Sequence, residues 1–110
     1  CLVVGPAPDA VVAQLFQPHR RPGKMPYDVI VAFCPDHASL LRHTTTLPPR
    51  LAPRGGLWLA WPKKASGVVT DTGEADVHRT GLATGLVDVK VAAIDEVWSG
   101  FRFVHRRTPE

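Results

Sequence analysis

The fold class is decided by residues 27–34, which read Tyr-Asp-Val-Ile-Val-Ala-Phe-Cys. Every position from Val29 to Phe33 is apolar, so polar and apolar residues do not alternate. A short, continuous apolar run of this kind is typical of a strand that is covered on both faces. Such strands occur in parallel sheets flanked by helices, so the stretch predicts an α/β fold.

Working outward from this strand, one further strand is predicted before it and three after it. They are Cys1–Gly5, Leu57–Trp61, Leu86–Ile94 and Phe101–Arg107. Helices are predicted between them, over Ala10–Gln17 with Asp9 as N-cap, from Asp36 as N-cap onward, and over Asp76–Thr84. This alternation predicts a parallel sheet.

The last two strands are joined by too few residues for a parallel crossover, so we predict an antiparallel hairpin. The final strand is expected between Leu57–Trp61 and Leu86–Ile94, while residues 17–26 are expected to form a loop with at most a vestigial edge strand. Eight strand side chains are predicted to be buried: Val29, Val31, Phe33, Leu57, Leu59, Val89, Val91 and Phe103.

The composition is that of one ordinary globular domain. The chain has 110 residues, of which 45% are hydrophobic and 21% are charged. It begins at Cys1 inside an apolar run, so we expect a short N-terminal segment to be missing. No apolar run approaches the length of a membrane span, and no signal peptide is present, so a cytoplasmic location is expected.

Its net charge is +3, and the basic residues fall into three groups. These are Arg20, Arg21 and Lys24; Lys63 and Lys64; and Arg102, Arg106 and Arg107. A solvated basic face explains them, and a nucleic-acid partner is possible but not favoured. Cys1 and Cys34 fit neither a disulfide framework nor a metal motif, so no metal site is expected.

Several motifs resemble known families. Leu51–Trp58 (LAPRGGLW) resembles the turn before the fifth strand of Rossmann methyltransferases. A closer resemblance is to the uncharacterised bacterial domain-of-unknown-function family 3052. It rests on Leu57–Gly67 (LWLAWPKKASG), Thr70-Asp71, Gly85–Val91 (GLVDVKV) and Ala93–Gly100 (AIDEVWSG). The resemblance implies a three-layer, Rossmann-like α/β fold, shortened in its N-terminal half and ending in an antiparallel strand, with no established activity.

The loop after the first strand argues against a cofactor. It reads Gly5-Pro6-Ala7-Pro8, with a single glycine and two prolines that have no N–H to donate. Residues 17–26 contain no acid that could bind ribose hydroxyls. From these two observations we predict no S-adenosylmethionine or dinucleotide cofactor.

A ligand site is nevertheless predicted where the parallel strands end. Its tentative residues are Lys63, Lys64, Ser66, Asp71, Asp95 and Trp98. Two cations beside an indole suit a small, anionic, partly planar ligand. The alternative is a structural lysine–aspartate bridge with Trp98 packed beneath it. Cys34 with His37 could act as a nucleophile, although a buried apolar role for the thiol is favoured.

Three functions remain open on the sequence alone. The first is a non-enzymatic binding or regulatory module with a degenerate cofactor site, which the missing cofactor features favour. The second is a methyltransferase-like enzyme that acts on an unknown substrate through the cleft at the strand ends. The third is a nucleic-acid-associated module that uses the basic groups.

Overall fold

The computed structural model describes residues 1–15, 18–21, 23 and 26–106. The predicted helix end at Gln17, the basic residues Lys24 and Arg107, and the tail 108–110 lie outside these residues. The chain forms strands β1 to β5 and helices α1 to α3, with short 3₁₀ turns at residues 48–50 and 64–66. In chain order these are β1 (Leu2–Val4), α1 (Asp9–Val12), β2 (Tyr27–Phe33), α2 (His37–Thr46), β3 (Leu51–Pro62), α3 (Glu74–Ala83), β4 (Val87–Ala93) and β5 (Trp98–Val104).

The strands form one mixed sheet in the order β1-β2-β3-β5-β4. The first three strands are parallel, and β5 is antiparallel to both of its neighbours. The predicted α/β class and the predicted position of the final strand are therefore confirmed. Because β5 returns between β3 and β4, the carboxyl ends of β1, β2, β3 and β4 all lie at one edge of the sheet.

A vestigial strand flanks β1 on its outer side. Leu2 pairs with Ile30 of β2 and also forms a parallel bridge to His19. The Val3 N–H donates to the His19 carbonyl over 2.8 Å, and the His19 N–H donates to the Cys1 carbonyl over 2.7 Å. The predicted vestigial edge strand is thus present as a single bridge, and β1 has a hydrogen-bonded neighbour on each side.

Both faces of the sheet are covered, as the apolar β2 run predicts. On one face, α2 and α3 contribute Leu40 and Val77 to a core with strand residues such as Leu57 and Phe103. The other face has a smaller core, where residues of and around α1 pack on the strands. Its buried members are Val3, Val31, Phe33, Ala60 and Trp98.

Burial matches the prediction in the centre of the sheet and departs from it at the margins. Val31, Phe33, Leu57, Leu59 and Phe103 are buried, as predicted. The prediction is wrong for three valines, because Val29 is 39% exposed and Val89 and Val91 are each 52% exposed. The last two lie on β4, the strand at the sheet edge. Val29 lines an open depression beside Cys1 and Leu15.

Several element boundaries also differ from the prediction. Helix α1 begins at Asp9, with Pro8 as its N-cap, and α3 begins at Glu74. Strand β3 begins at Leu51 rather than Leu57, and the predicted turn before it is a bulge within the strand.

The Asp36 cap of α2 is confirmed. Its side chain accepts the Ser39 N–H over 2.8 Å, and the Ser39 hydroxyl lies 3.3 Å from the Asp36 N–H. This reciprocal pair fixes the start of α2 directly after β2. None of the helices in the described part of the chain is long and apolar enough to cross a membrane. The cytoplasmic location stays a prediction.

Candidate functional site

The strand order has a switch point between β1 and β2. From β1 the chain passes to His19 on the outer side of β1, and it then returns to β2 on the opposite side. The loops that follow β1 and β2 therefore diverge at the carboxyl edge. In open α/β sheets, ligands bind at such a switch point. We call this the β1–β2 crevice and define it by residues 5–8 and 34–36.

Gly5 forms the floor of the crevice. Its φ angle is +86°, and a Cβ there would overlap the Phe33 carbonyl oxygen. Only glycine can bring the backbone this close to β2 in this conformation. The Ala7 N–H is already used, since it donates to the Gly5 carbonyl over 2.8 Å.

Arg20 lies across the same loop. It follows the His19 bridge, and its Nη2 donates to the Gly5 carbonyl over 2.8 Å in an exposed position. In dinucleotide-binding Rossmann folds, an acid placed about 20 residues beyond the glycine-rich loop binds the ribose hydroxyls. Residues 18–21 and 23, the described part of this segment, contain no acid. A cation therefore takes the place of the expected acid.

A second opening, which we call the β3 cleft, lies at the carboxyl end of β3. Its volume is about 590 Å³. Its walls come from the end of β3, the segment after it, the start of α3 and the start of β5. The lining residues are Trp61, Pro62, Lys63, Lys64, Val68, Thr70, Thr72, Gly73, Glu74 and Ser99.

The predicted site residues fall in different places around this cleft. Lys63 and Lys64 line it, and neither forms an ion pair with any described residue. Ser66 and Asp71 shape the segment around it instead of lining it. The Ser66 hydroxyl donates to the Lys63 carbonyl over 2.6 Å, and Asp71 accepts the His37 N–H over 2.7 Å.

Asp95 and Trp98 belong to the hairpin between β4 and β5, whose backbone pairs with the end of β3 beside Lys63. Neither residue lines the β3 cleft. The Asp95 carboxylate accepts the Val97 and Trp98 N–H groups over 2.8 and 2.7 Å, which closes the hairpin turn. The Trp98 indole is buried and meets the Phe33 ring edge to face at 5.0 Å. Their side chains therefore serve the turn and the core.

A histidine–aspartate pair, which sequence reasoning missed, joins the start of α2 to α3 next to Thr72 of the β3 cleft lining. His37 Nδ1 is 2.6 Å from Asp76 Oδ2, and the Thr72 hydroxyl donates to the same oxygen over 2.8 Å. Arg79 donates to the other carboxylate oxygen over 2.8 Å. The two partners are 39 residues apart, so no local spacing could have revealed the pair.

The surroundings of Asp76 keep it ionised. Burial raises the pKa of its carboxyl, but hydrogen bonds from His37, Thr72 and Arg79 outweigh burial and lower the pKa below its ordinary value. Because an ionised carboxylate only accepts, the 2.6 Å contact requires a proton on Nδ1 of His37, and Nε2 is the other ring nitrogen. Among the described residues, none hydrogen bonds to that Nε2.

Cys34 does not provide a nucleophile. It is fully buried, and burial, aided by the negative charge of Asp36, raises the pKa of its thiol to about 12. The thiolate is the reactive form, and a thiol with this pKa is almost entirely protonated at neutral pH. The apolar role that the sequence favours for Cys34 fits the structure, and His37 pairs with Asp76 instead.

His43 predicts a pH dependence of folding. Burial and the positive charge of Arg42 lower the pKa of its imidazole, and Nε2 is buried with no partner among the described residues. The unfolded chain then binds a proton more readily than the folded chain, so stability falls as pH drops below the unfolded pKa of 6.5. Urea unfolding at pH 7 and pH 5 should show a smaller loss for His43→Leu than for the wild type. An equal loss in both proteins would contradict this assignment.

Solved structures with a fold similar to this chain include Rossmann-like methyltransferases. The N-methyltransferase NodS from Bradyrhizobium japonicum WM9 is similar, with a TM-score of 0.60 and 17% identity over 96% of this chain and 73% of that one. The complex of LepI with SAM gives 0.59 and 11% identity over 96% of this chain and 36% of LepI.

A ribosomal protein L11 methylase from Lactobacillus delbrueckii subsp. bulgaricus gives a TM-score of 0.54 and 13% identity over 76% of this chain. The chain spans 39% of that methylase. No family model and no curated protein matches the chain. Identities this low show the fold alone, and the resemblance to the domain-of-unknown-function family 3052 stays a prediction.

The prediction that the chain has no cofactor is wrong. Proteins with this fold include LepI, which has been solved in complex with SAM, and its C52A variant, solved with SAH and a substrate analogue. The prediction relied on the number of glycines and on a missing acid. It gave no weight to the switch point that the strand order creates between β1 and β2.

Proposed function

We propose that this chain is a methyltransferase-like domain that binds S-adenosylmethionine in the β1–β2 crevice and an anionic methyl acceptor in the β3 cleft. The observation that carries the proposal is the switch point between β1 and β2, with Gly5 held against the Phe33 carbonyl at its floor. A glycine at this position lets the loop after β1 approach β2 closely, and switch points of this kind are where ligands bind in open α/β sheets.

Gly5 meets one requirement of a cofactor site, a close backbone approach, whereas Pro6 and Pro8 have no N–H groups to offer it. The loops at residues 5–8 and 34–36 would hold the cofactor from either side. When bound, S-adenosylmethionine supplies a methyl group on a positively charged sulfur. The side chain that departs from a usual ribose site is Arg20, which stands where an acid is expected.

The lining of the β3 cleft suits an acceptor that carries a carboxylate or a phosphate. Lys63 and Lys64 offer two cations without ion-pair partners among the described residues. Ser99 adds a hydroxyl group to the same lining, whereas the Thr70 hydroxyl already donates to the Pro35 carbonyl over 2.7 Å. Lysines bind such anions as compact, strongly hydrated charges.

In this proposal His37, which does not itself line the β3 cleft, takes the proton that an acceptor nitrogen or oxygen releases on methylation. Thr72 lines the cleft and donates to the carboxylate that holds His37, so the pair adjoins the acceptor side. Nε2 of His37 receives the proton, while the Asp76 carboxylate stabilises the imidazolium that results. A general base held in this way contributes about 10²–10⁴-fold to a rate.

Amide NMR during a titration with S-adenosylmethionine tests where the ligand binds. We expect the largest shifts at Gly5, Ala7 and Asp36, because their amides lie in the loops that form the crevice. Val89 and Val91 on the edge strand are internal controls and should not move. Saturable shifts confined to other regions would contradict the proposed location. A chain that binds at the crevice but methylates no acceptor would be the non-enzymatic binding module instead.

A further inference from the structure

Arg20 makes the most unusual contact in the β1–β2 crevice. Its guanidinium crosses from the end of the vestigial strand to the Gly5 carbonyl, over 2.8 Å. Among the described residues, no carboxylate forms an ion pair with it. The contact is exposed, so solvent competes with it and a ligand can displace it. A cation therefore lies directly after the vestigial strand, where dinucleotide-binding Rossmann folds carry the acid that binds ribose hydroxyls.

This cation matters because of the charge on the proposed ligand. S-adenosylmethionine carries a positive sulfur in addition to its amino-acid group, so its net charge is about +1, whereas S-adenosylhomocysteine is neutral overall. A guanidinium beside the ligand repels the first more than the second. The guanidinium also has hydrogen-bond donors but no acceptor, whereas ribose hydroxyls are best held by an acceptor such as a carboxylate.

We propose that Arg20 is the specificity-determining residue of the crevice, occupying the ribose subsite and weakening the binding of the positively charged cofactor relative to its neutral product. The inference rests on the proposed function, since it concerns the same site. Binding requires the guanidinium to leave the Gly5 carbonyl. The ligand then gains no carboxylate partner for its ribose in return.

Arg21 provides a matched control. It is the next residue, carries the same charge and is exposed, but it makes no hydrogen bond to the Gly5–Pro8 loop. A general effect of net charge would appear equally at both positions. An effect of the ribose subsite would appear at Arg20 alone.

The test is calorimetric titration of S-adenosylmethionine and S-adenosylhomocysteine into the wild type, Arg20→Glu, Arg20→Gln and Arg21→Glu. We expect Arg20→Glu to tighten S-adenosylmethionine binding about tenfold, the effect of one charged hydrogen bond gained. Arg20→Gln should tighten it by less, and Arg21→Glu should change it by less than about threefold. The gain should be smaller for S-adenosylhomocysteine. Thermal unfolding of each variant confirms that it is folded.

Two outcomes would overturn the inference in distinguishable ways. If the wild type binds and Arg20→Glu binds no tighter than Arg21→Glu, Arg20 does not set the affinity, and the proposed function stands. If neither the wild type nor any folded variant binds either ligand at millimolar concentration, the proposed function itself fails. If Arg20→Glu does not fold, Arg20→Gln takes its place in the comparison with Arg21→Glu.

Discussion

Replacing Phe33 with alanine is expected to lower the free energy of unfolding by about 3–5 kcal/mol. Phe33 is fully buried at the end of β2 and packs edge to face against Trp98 at 5.0 Å. It belongs to the smaller of the two cores, whose other buried members are Val3, Val31, Ala60 and Trp98. Because this core has few large side chains, its remaining members cannot fill the cavity that the truncation of Phe33 leaves. The loss is comparable with the whole stability of an ordinary small domain.

Urea unfolding measures this loss, and Val89→Ala is the matched control. Val89 is 52% exposed on the edge strand, so its truncation should change the free energy of unfolding by no more than about 0.5 kcal/mol. Equal losses in the two variants would contradict the assignment of the core. An unchanged midpoint for Phe33→Ala would do the same.

Replacing His37 with glutamine is expected to lower methyl transfer about 10²–10⁴-fold, while leaving cofactor affinity within about threefold. Glutamine keeps a polar side chain of similar length but cannot accept a proton at neutral pH. Transfer is measured as formation of S-adenosylhomocysteine from S-adenosylmethionine, in the presence of a panel of small amines and phenols that carry a carboxylate or phosphate.

His78→Gln is the control for this experiment, because His78 also faces a carboxylate. Its Nε2 lies 3.3 Å from Asp88 Oδ1. His78 is on α3, where its ring packs against that of Phe101, and it does not line the β3 cleft. Its replacement should leave transfer within about threefold. If His37→Gln transfers as fast as His78→Gln, His37 is not the proton acceptor and serves only to join α2 to α3.

The strand directions could be predicted from local features of the sequence, whereas the place of β5 between β3 and β4 was implied by the resemblance to Rossmann methyltransferases. The apolar run of β2 indicates a strand covered on both faces, and the short link after β4 requires an antiparallel final strand. Burial at the margins could not be predicted in the same way. Val91 reads as a core residue by its alternation, yet β4 lies at the edge of the sheet and leaves it 52% exposed.

The site was predicted only in part, because it depends on which side of a strand each side chain occupies. Lys63 and Lys64 lie at the end of β3 and line the cleft, as their position implies. Trp98 lies opposite Pro62 on the neighbouring strand β5, but its side chain points into the core. The pairing of His37 with Asp76 joins two helices that are far apart in the chain, so only the packing of α2 beside α3 brings it about.

The most direct test of the account is a calorimetric titration of the wild-type chain with S-adenosylmethionine. The account predicts saturable binding of one ligand per chain, with a Kd below about 1 mM, which corresponds to about 4.1 kcal/mol of binding free energy. It also predicts that Arg20 keeps this affinity modest. The absence of any saturable binding at ligand concentrations of several millimolar, with the chain shown to be folded, would contradict the central claim.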